Sequence, residues 1–168
     1  MRESLVARDK ERLDQVVLQL RNEFGAKQVY GWAADCSSNK ALKQILAKLS
    51  DQFSTLDGVL ANVGDLHSVP DPIPDAKQWE KIWRKNFEST LTTSRVFMPM
   101  IEQNKGCMLF IASITGLEAM GAPTDYSTAK TAVIAFAQNL ARKVAPDVRI
   151  NVIAPGNVFF LVAVRRIK

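Results

Sequence analysis

Tyr126 and Lys130 stand four residues apart, the spacing that puts two side chains on one face of a helix. An ammonium held beside a phenol favours the phenolate. A tyrosine so placed can give or take a proton as a general acid or base. Ser113 lies 13 residues earlier, at the end of an apolar run, where a hydroxyl could hydrogen-bond a substrate oxygen. Together the three side chains suit proton transfer at a carbonyl or alcohol. The bare Tyr-x-x-x-Lys spacing also arises by chance on any polar helix, so its weight rests on the elements around it.

Those elements alternate. Residues 4–7 read as a strand, and Asp9 as the cap of a helix. Leu13, Val16, Val17, Leu20 and Phe24 repeat on one face of that helix, and Gly25 stops it. Residues 28–34 predict a second strand. Leu42, Ile45, Leu46, Leu49 and Phe53 mark a second helix, and 56–61 a third strand. Pro70, Pro72 and Pro74 make 66–74 a loop. Residues 75–104 read as helical, bent or broken, with Pro99 removing a backbone donor. The apolar run 107–112 predicts a parallel strand buried on both faces. Residues 124–145 form a long helix, and 148–154 a last strand stopped by Pro155 and Gly156. Such alternation predicts a layered α/β domain with a parallel sheet. Ligands bind beyond the carboxyl ends of such strands, so Arg8, Asp35, Asn62, Ser113 and Pro155 are candidate site positions.

Composition narrows the function. The 168 residues are 47% hydrophobic and 23% charged, which fits one globular domain. The net charge is +5, with Arg165, Arg166 and Lys168 in the last four residues, so the rest carries +2. This gives no footprint for nucleic acid. The longest apolar run, 158–164, is too short to cross a bilayer, and the N-terminus has no apolar signal core. Cys36 and Cys107 form no CxxC, which fits a reducing, cytoplasmic setting. His67, the single histidine, leaves little for a histidine-based metal site and reads as a solvated loop residue. Trp79 and Trp83 read as packing residues on one helical face.

Five stretches, in order, resemble the short-chain dehydrogenase/reductase family. They are Leu60-Ala61-Asn62-Val63-Gly64, Asn86 in the long helix 27 residues before Ser113, Ile111-Ala112-Ser113, Tyr126-Ser127-Thr128-Ala129-Lys130, and Arg149 through Pro155-Gly156. The resemblance spans about residues 5–158. It implies an incomplete Rossmann-type, doubly wound parallel sheet with helices on both faces. The first strand, with its Thr-Gly-x-x-x-Gly-x-Gly turn, and the last strand are missing from the sequence. Residues 1–160 would form a partial NAD(P)-binding domain, and 161–168 a basic tail unlike the family.

The resemblance further implies an NAD(P)-dependent oxidoreductase interconverting small-molecule carbonyls and alcohols. Tyr126 would be the general acid/base, Lys130 would support it and hold the nicotinamide ribose, and Ser113 would orient the substrate oxygen. Asn86 would hold a water in a proton relay. Asp35 and the Cys36 backbone would approach the adenine, Asn62 and Gly64 its ribose, and Pro155, Gly156 and Val158 the nicotinamide. The hydride belongs to the cofactor, leaving the protein position and electrostatics. Arg8 follows the strand where the family reads the adenosine ribose, and a guanidinium there suits a 2′-phosphate. With Asp9 spent as a helix cap, NADP(H) is favoured over NAD(H).

Without the glycine-rich turn, the resemblance implies weak cofactor binding and negligible turnover for these 168 residues. Homo-oligomers are expected of the full-length family. The alternatives are a catalytically dead remnant serving as an interaction protein, and a sugar-nucleotide epimerase or dehydratase, which shares Tyr-x-x-x-Lys. The run before Tyr126 is similar to 3-oxoacyl-carrier-protein reductases.

Overall fold

Asp9 and Gly25 set the first crossover. In a computed structural model of the protein, which describes residues 2–25 and 28–157, the Asp9 carboxylate accepts from Arg12 N at 3.0 Å. Gly25 closes the same helix in the left-handed region, at φ 61°. This helix, α1 (Lys10–Phe24), joins β1 (Glu3–Ala7) to β2 (Val29–Ala33). The two strands pair in parallel, Leu5 opposite Gly31 and Val6 opposite Trp32. Ser38 caps α2 (Asn39–Ser50) by accepting from Ala41 N, and α2 buries Leu42, Ile45 and Leu49.

β3 (Gly58–Ala61) leads into a long loop that ends where Asp75 caps α3 (Ala76–Trp83). The predicted break in the long helix is real, but it does not lie at Pro99. A π-helical turn, Arg84–Glu88, follows α3, and α4 (Ser89–Gln103) then runs through Pro99. β4 (Cys107–Ile111) is followed by a single 3-10 turn, Ile114–Gly116, then α5 (Thr124–Val144) and β5 (Arg149–Ile153).

The strands form two parallel sheets, β1-β2 and β3-β4-β5. β1 and β3 are not hydrogen-bonded to each other, so the sheet is interrupted where the sequence lacks the family's first strand. One apolar cluster nonetheless spans both sheets. Leu42, Ile45 and Leu49 from α2, Phe97 and Ile101 from α4, Val133 and Ala137 from α5, and Met108 and Phe110 from β4 all belong to it. Val6 and Trp32 pack against the same cluster, so α2 and α4 bridge the interruption.

α1 lies against the Gly31 face of β1-β2 through Leu13 and Val17, while Val6 and Trp32 turn to the core, so that sheet is covered on both sides. The three-stranded sheet differs from expectation. Met108 and Phe110 are fully buried against α4 and α5, but Cys107, Leu109 and Ile111 are only half-buried. Leu60 and Ile153, which share their face, are exposed. The reason is that, among the described residues, helices cover one face of β3-β4-β5. An apolar run alone does not reveal how many faces are covered. Among the described residues, no helix is long and apolar enough to cross a membrane.

Candidate active site

Asn86, Gly64 and Lys130 come from three different elements and meet at one point. A Cβ placed on Gly64 would lie 3.0 Å from both Asn86 Oδ1 and Lys130 Nζ, so the chain after β3 passes tightly between these two side-chain tips. Asn86 is completely buried in the π-helical turn. Such turns open a helix enough to aim a side chain inward and recur at functional sites. Its Oδ1 accepts from Asp65 N at 3.0 Å, and its Nδ2 donates to Asp65 O at 2.9 Å and to Ile82 O at 3.0 Å. Asn86 therefore clamps the backbone just beyond Gly64, a task the sequence did not reveal.

Lys130 is buried, and its Nζ donates to the Ile111 carbonyl at the end of β4, 2.9 Å away. Burial disfavours its charged form and pulls its pKa down from 10.5 to about 8. The same ammonium lies 5.8 Å from the centre of the Tyr126 ring. The predicted pair thus shares one face of α5. The lysine sits deep and the tyrosine is only half-buried, toward solvent.

Ser113 starts the 3-10 turn, and its Oγ accepts from Thr115 N at 3.3 Å and from Thr115 Oγ1 at 3.0 Å. Both bonds use the Ser113 oxygen as acceptor, so its own O–H remains for a substrate. The turn is seated hard against α5. A Cβ on Gly116 would fall 2.9 Å from the Lys130 carbonyl carbon and from Thr131 N, and Thr131 Oγ1 donates to Gly116 O at 2.9 Å. Pro155 joins the same region, because Ile114 N donates to its carbonyl at 2.9 Å. Gly156 follows it, exposed, and Val158 lies outside the described residues, as does the tail 161–168.

A second cluster forms at the ends of β1 and β2. Asp35 accepts from Ser37 N at 2.9 Å and Ser37 Oγ at 2.8 Å. Burial pushes its carboxyl up, but these bonds and the nearby Arg8 and Arg84 guanidiniums outweigh it and hold the carboxyl below its usual range. Arg8 is exposed, and its charge also reaches Cys36. Cys36 is buried, and burial together with the Asp35 charge raises its thiol, which keeps it unreactive. Asn62 is exposed just past β3.

Several contacts were not visible in the sequence. Arg84 lies next to Asn86 in the π-helical turn and reaches Asp35 electrostatically, which ties the two clusters together. Lys85 pairs with Asp65 at 2.5 Å, and His67, although highly exposed, also touches Asp65. Burial would raise the Asp65 carboxyl, but the Lys85 and His67 bonds hold it far below its usual value. Ser68 Oγ donates to the buried Asp125 carboxylate at 2.6 Å, and Thr124 Oγ1 donates to Pro72 O at 2.7 Å. Serine, threonine and aspartate in loop sequences give no local sign of such long-range partners. Trp83 packs on Phe87 with the rings tilted and their centres 4.8 Å apart, whereas Trp79 and Trp83, both half-buried, also line a surface cavity with Pro74 and Glu80.

The chain and its fold resemble known proteins. The family model described as short chain dehydrogenase matches residues 1–160. Short-chain dehydrogenase/reductase SDRA of Arabidopsis thaliana is 29% identical over 154 residues, covering 90% of this chain and 59% of that protein. Among solved structures, the alcohol dehydrogenase of the archaeon Thermococcus sibiricus, complexed with 5-hydroxy-NADP, is 22% identical with a TM-score of 0.84, over 92% of this chain and 65% of that one. NAD+-bound xylitol dehydrogenase is 21% identical with a TM-score of 0.84, over 91% of this chain and 59% of that one. The chain thus spans about three fifths of the length of the proteins it matches. By the match of the family model over residues 1–160, the chain belongs to the short chain dehydrogenase family.

Proposed function

We propose that this chain carries the catalytic half of an NAD(P)-dependent oxidoreductase that interconverts a carbonyl and an alcohol. The observation that carries this reading is the buried Lys130 ammonium, 5.8 Å from the Tyr126 ring, on the face of α5 nearest the Ser113 turn. The residues present fit the nicotinamide half of the cofactor. Lys130 has three donors and the Ile111 carbonyl takes one, leaving others for a ribose hydroxyl. They fit the pyrophosphate less well, since the 168 residues contain no Thr-Gly-x-x-x-Gly-x-Gly turn to bring backbone N–H groups to a phosphate. The cofactor, when bound, supplies the hydride.

The remaining steps belong to the chain. Ser113 donates its O–H to the substrate oxygen and fixes its direction. Tyr126 gives its phenolic proton to that oxygen in reduction, or takes one in oxidation. The Lys130 charge stabilises the phenolate left behind. Asn86 holds the loop beyond Gly64 so that Lys130 keeps its depth. Arg8 would offer a guanidinium to a 2′-phosphate, the basis for favouring NADP(H). The two solved relatives carry one cofactor of each type, so that preference rests on Arg8 alone.

Cofactor affinity of the 168-residue chain is expected to be weak and its turnover low. Equilibrium titration of NADPH and NADH against the protein tests the cofactor assignment. Tighter NADH binding overturns the preference, and no binding of either overturns the function.

A further inference from the structure

Two loops meet beside Tyr126, residues 62–75 after β3 and 113–125 after β4. They are pinned together at the start of α5. Ser68 is bonded to Asp125 at 2.6 Å, Thr124 to Pro72 at 2.7 Å, and Asp125 Oδ1 accepts from Tyr126 N at 2.8 Å. This rim is apolar where it meets water. Ile73 is 81% exposed, Leu117 61%, Leu66 and Met120 56%, and Val69 40%. Exposed apolar side chains on loops that flank Tyr126 suit a ligand-binding surface.

The rim is also devoid of cations. The chain has 22 Lys and Arg, yet none falls in these two loops, which hold five acidic residues, Asp65, Asp71, Asp75, Glu118 and Asp125. Among the described cations around the loops, three are engaged or buried, while Lys77 stands exposed just inside α3. Lys85 is paired with Asp65, Arg84 lies by Asp35, and Lys130 is buried beneath. His67 is exposed but sits on the Asp65 carboxylate. Within these loops an anionic substrate would meet acidic side chains and no lysine or arginine.

We propose that this site, read as the oxidoreductase above, takes a neutral, apolar carbonyl compound or its alcohol. Free carboxylates, phosphorylated sugars and carbonyls carried on phosphate-bearing groups are disfavoured by charge. The apolar arm of the substrate lies along Leu117 and Met120, with Leu66 and Ile73 opposite.

The test uses the full 168-residue chain and three ketones with the same reacting group, octyl levulinate, methyl levulinate and levulinate. Binding is followed by ligand-observed NMR without cofactor, so the result does not depend on turnover. The expected order is octyl ester, then methyl ester, then the anion, with about tenfold or more between the first and last. Met120→Lys and Leu117→Lys, at exposed positions, are expected to weaken the octyl ester and strengthen levulinate. The proposal is overturned if levulinate binds as tightly as the octyl ester, if none of the three binds, or if both lysine variants leave the order unchanged. It is also overturned if sedimentation shows the rim occupied by a second copy that Met120→Lys releases. The oxidoreductase reading fails separately if the octyl ester binds in the expected order but no cofactor binds.

Discussion

Asn86 grips Asp65 at both backbone atoms, accepting from its N–H at 3.0 Å and donating to its carbonyl at 2.9 Å. The grip holds the turn that carries Gly64 past Lys130, so one buried amide ties the chain after β3 to the π-helical turn. Asn86→Ala leaves the Asp65 and Ile82 groups without this partner. Unpaired buried polar groups cost about 1–3 kcal/mol each. We expect Asn86→Ala to lower stability by about 2–4 kcal/mol, read as a lower urea midpoint with an unchanged slope.

Lys130 gives the protein a pH signature. Its folded pKa, about 8, is below the ordinary 10.5 of the unfolded chain, because burial disfavours the ammonium. Below pH 8 both states hold the proton and the folded state bears the full cost of a buried charge. Between about pH 8 and 10.5 the folded state loses the proton first, so the unfolded state binds more protons and stability rises with pH. Lys130→Met is expected to abolish that rise. Urea midpoints measured across this range check it, and a flat or falling wild-type curve contradicts the burial argument.

Gly64 and Gly116 are expected to differ in their tolerance of a methyl group. The Cβ of Gly64→Ala would meet the tips of two side chains at 3.0 Å, and Lys130 can yield slightly. The Cβ of Gly116→Ala would meet α5 backbone at 2.9 Å, which cannot. Overpacking of this kind costs about 1–3 kcal/mol, with Gly116→Ala at the upper end. Thermal midpoints of the two variants give the comparison. Equal loss would show that the 3-10 turn shifts freely on α5.

These contrasts mark what local sequence can and cannot convey. Asp9, Gly25, Ser38 and the apolar stripes of α1 and α2 act within a turn or two of the chain, and so their spacing is readable. The Tyr126 and Lys130 face is readable for the same reason. The π-helical turn at Arg84–Glu88 is not, because nothing local marks it and its Asn86 is bonded to Asp65, 21 residues away in sequence. The Ser68–Asp125 pin, which spans 57 residues, leaves no periodic trace. The half-open face of β4 also escaped, because the alternation of buried and half-buried residues is written in the neighbours and not in the strand.

Ser68→Ala tests the pin directly. It removes the donor at 2.6 Å from the buried Asp125 and loosens the loop that carries Leu66 and Val69. We expect a stability loss of about 1–3 kcal/mol and faster amide exchange across residues 66–74 than in the parent. Unchanged exchange there would show that the Thr124–Pro72 bond alone fixes the loop.

In the proposed reaction Tyr126 supplies the proton for carbonyl reduction. The most direct test of this role is single-turnover oxidation of NADPH by octyl levulinate, with protein in excess over cofactor, for the parent chain and Tyr126→Phe. We expect slow NADPH loss with the parent chain, cut by about a hundredfold or more when the phenolic O–H is removed. Equal rates with and without that hydroxyl, or no oxidation by the parent chain, would contradict it.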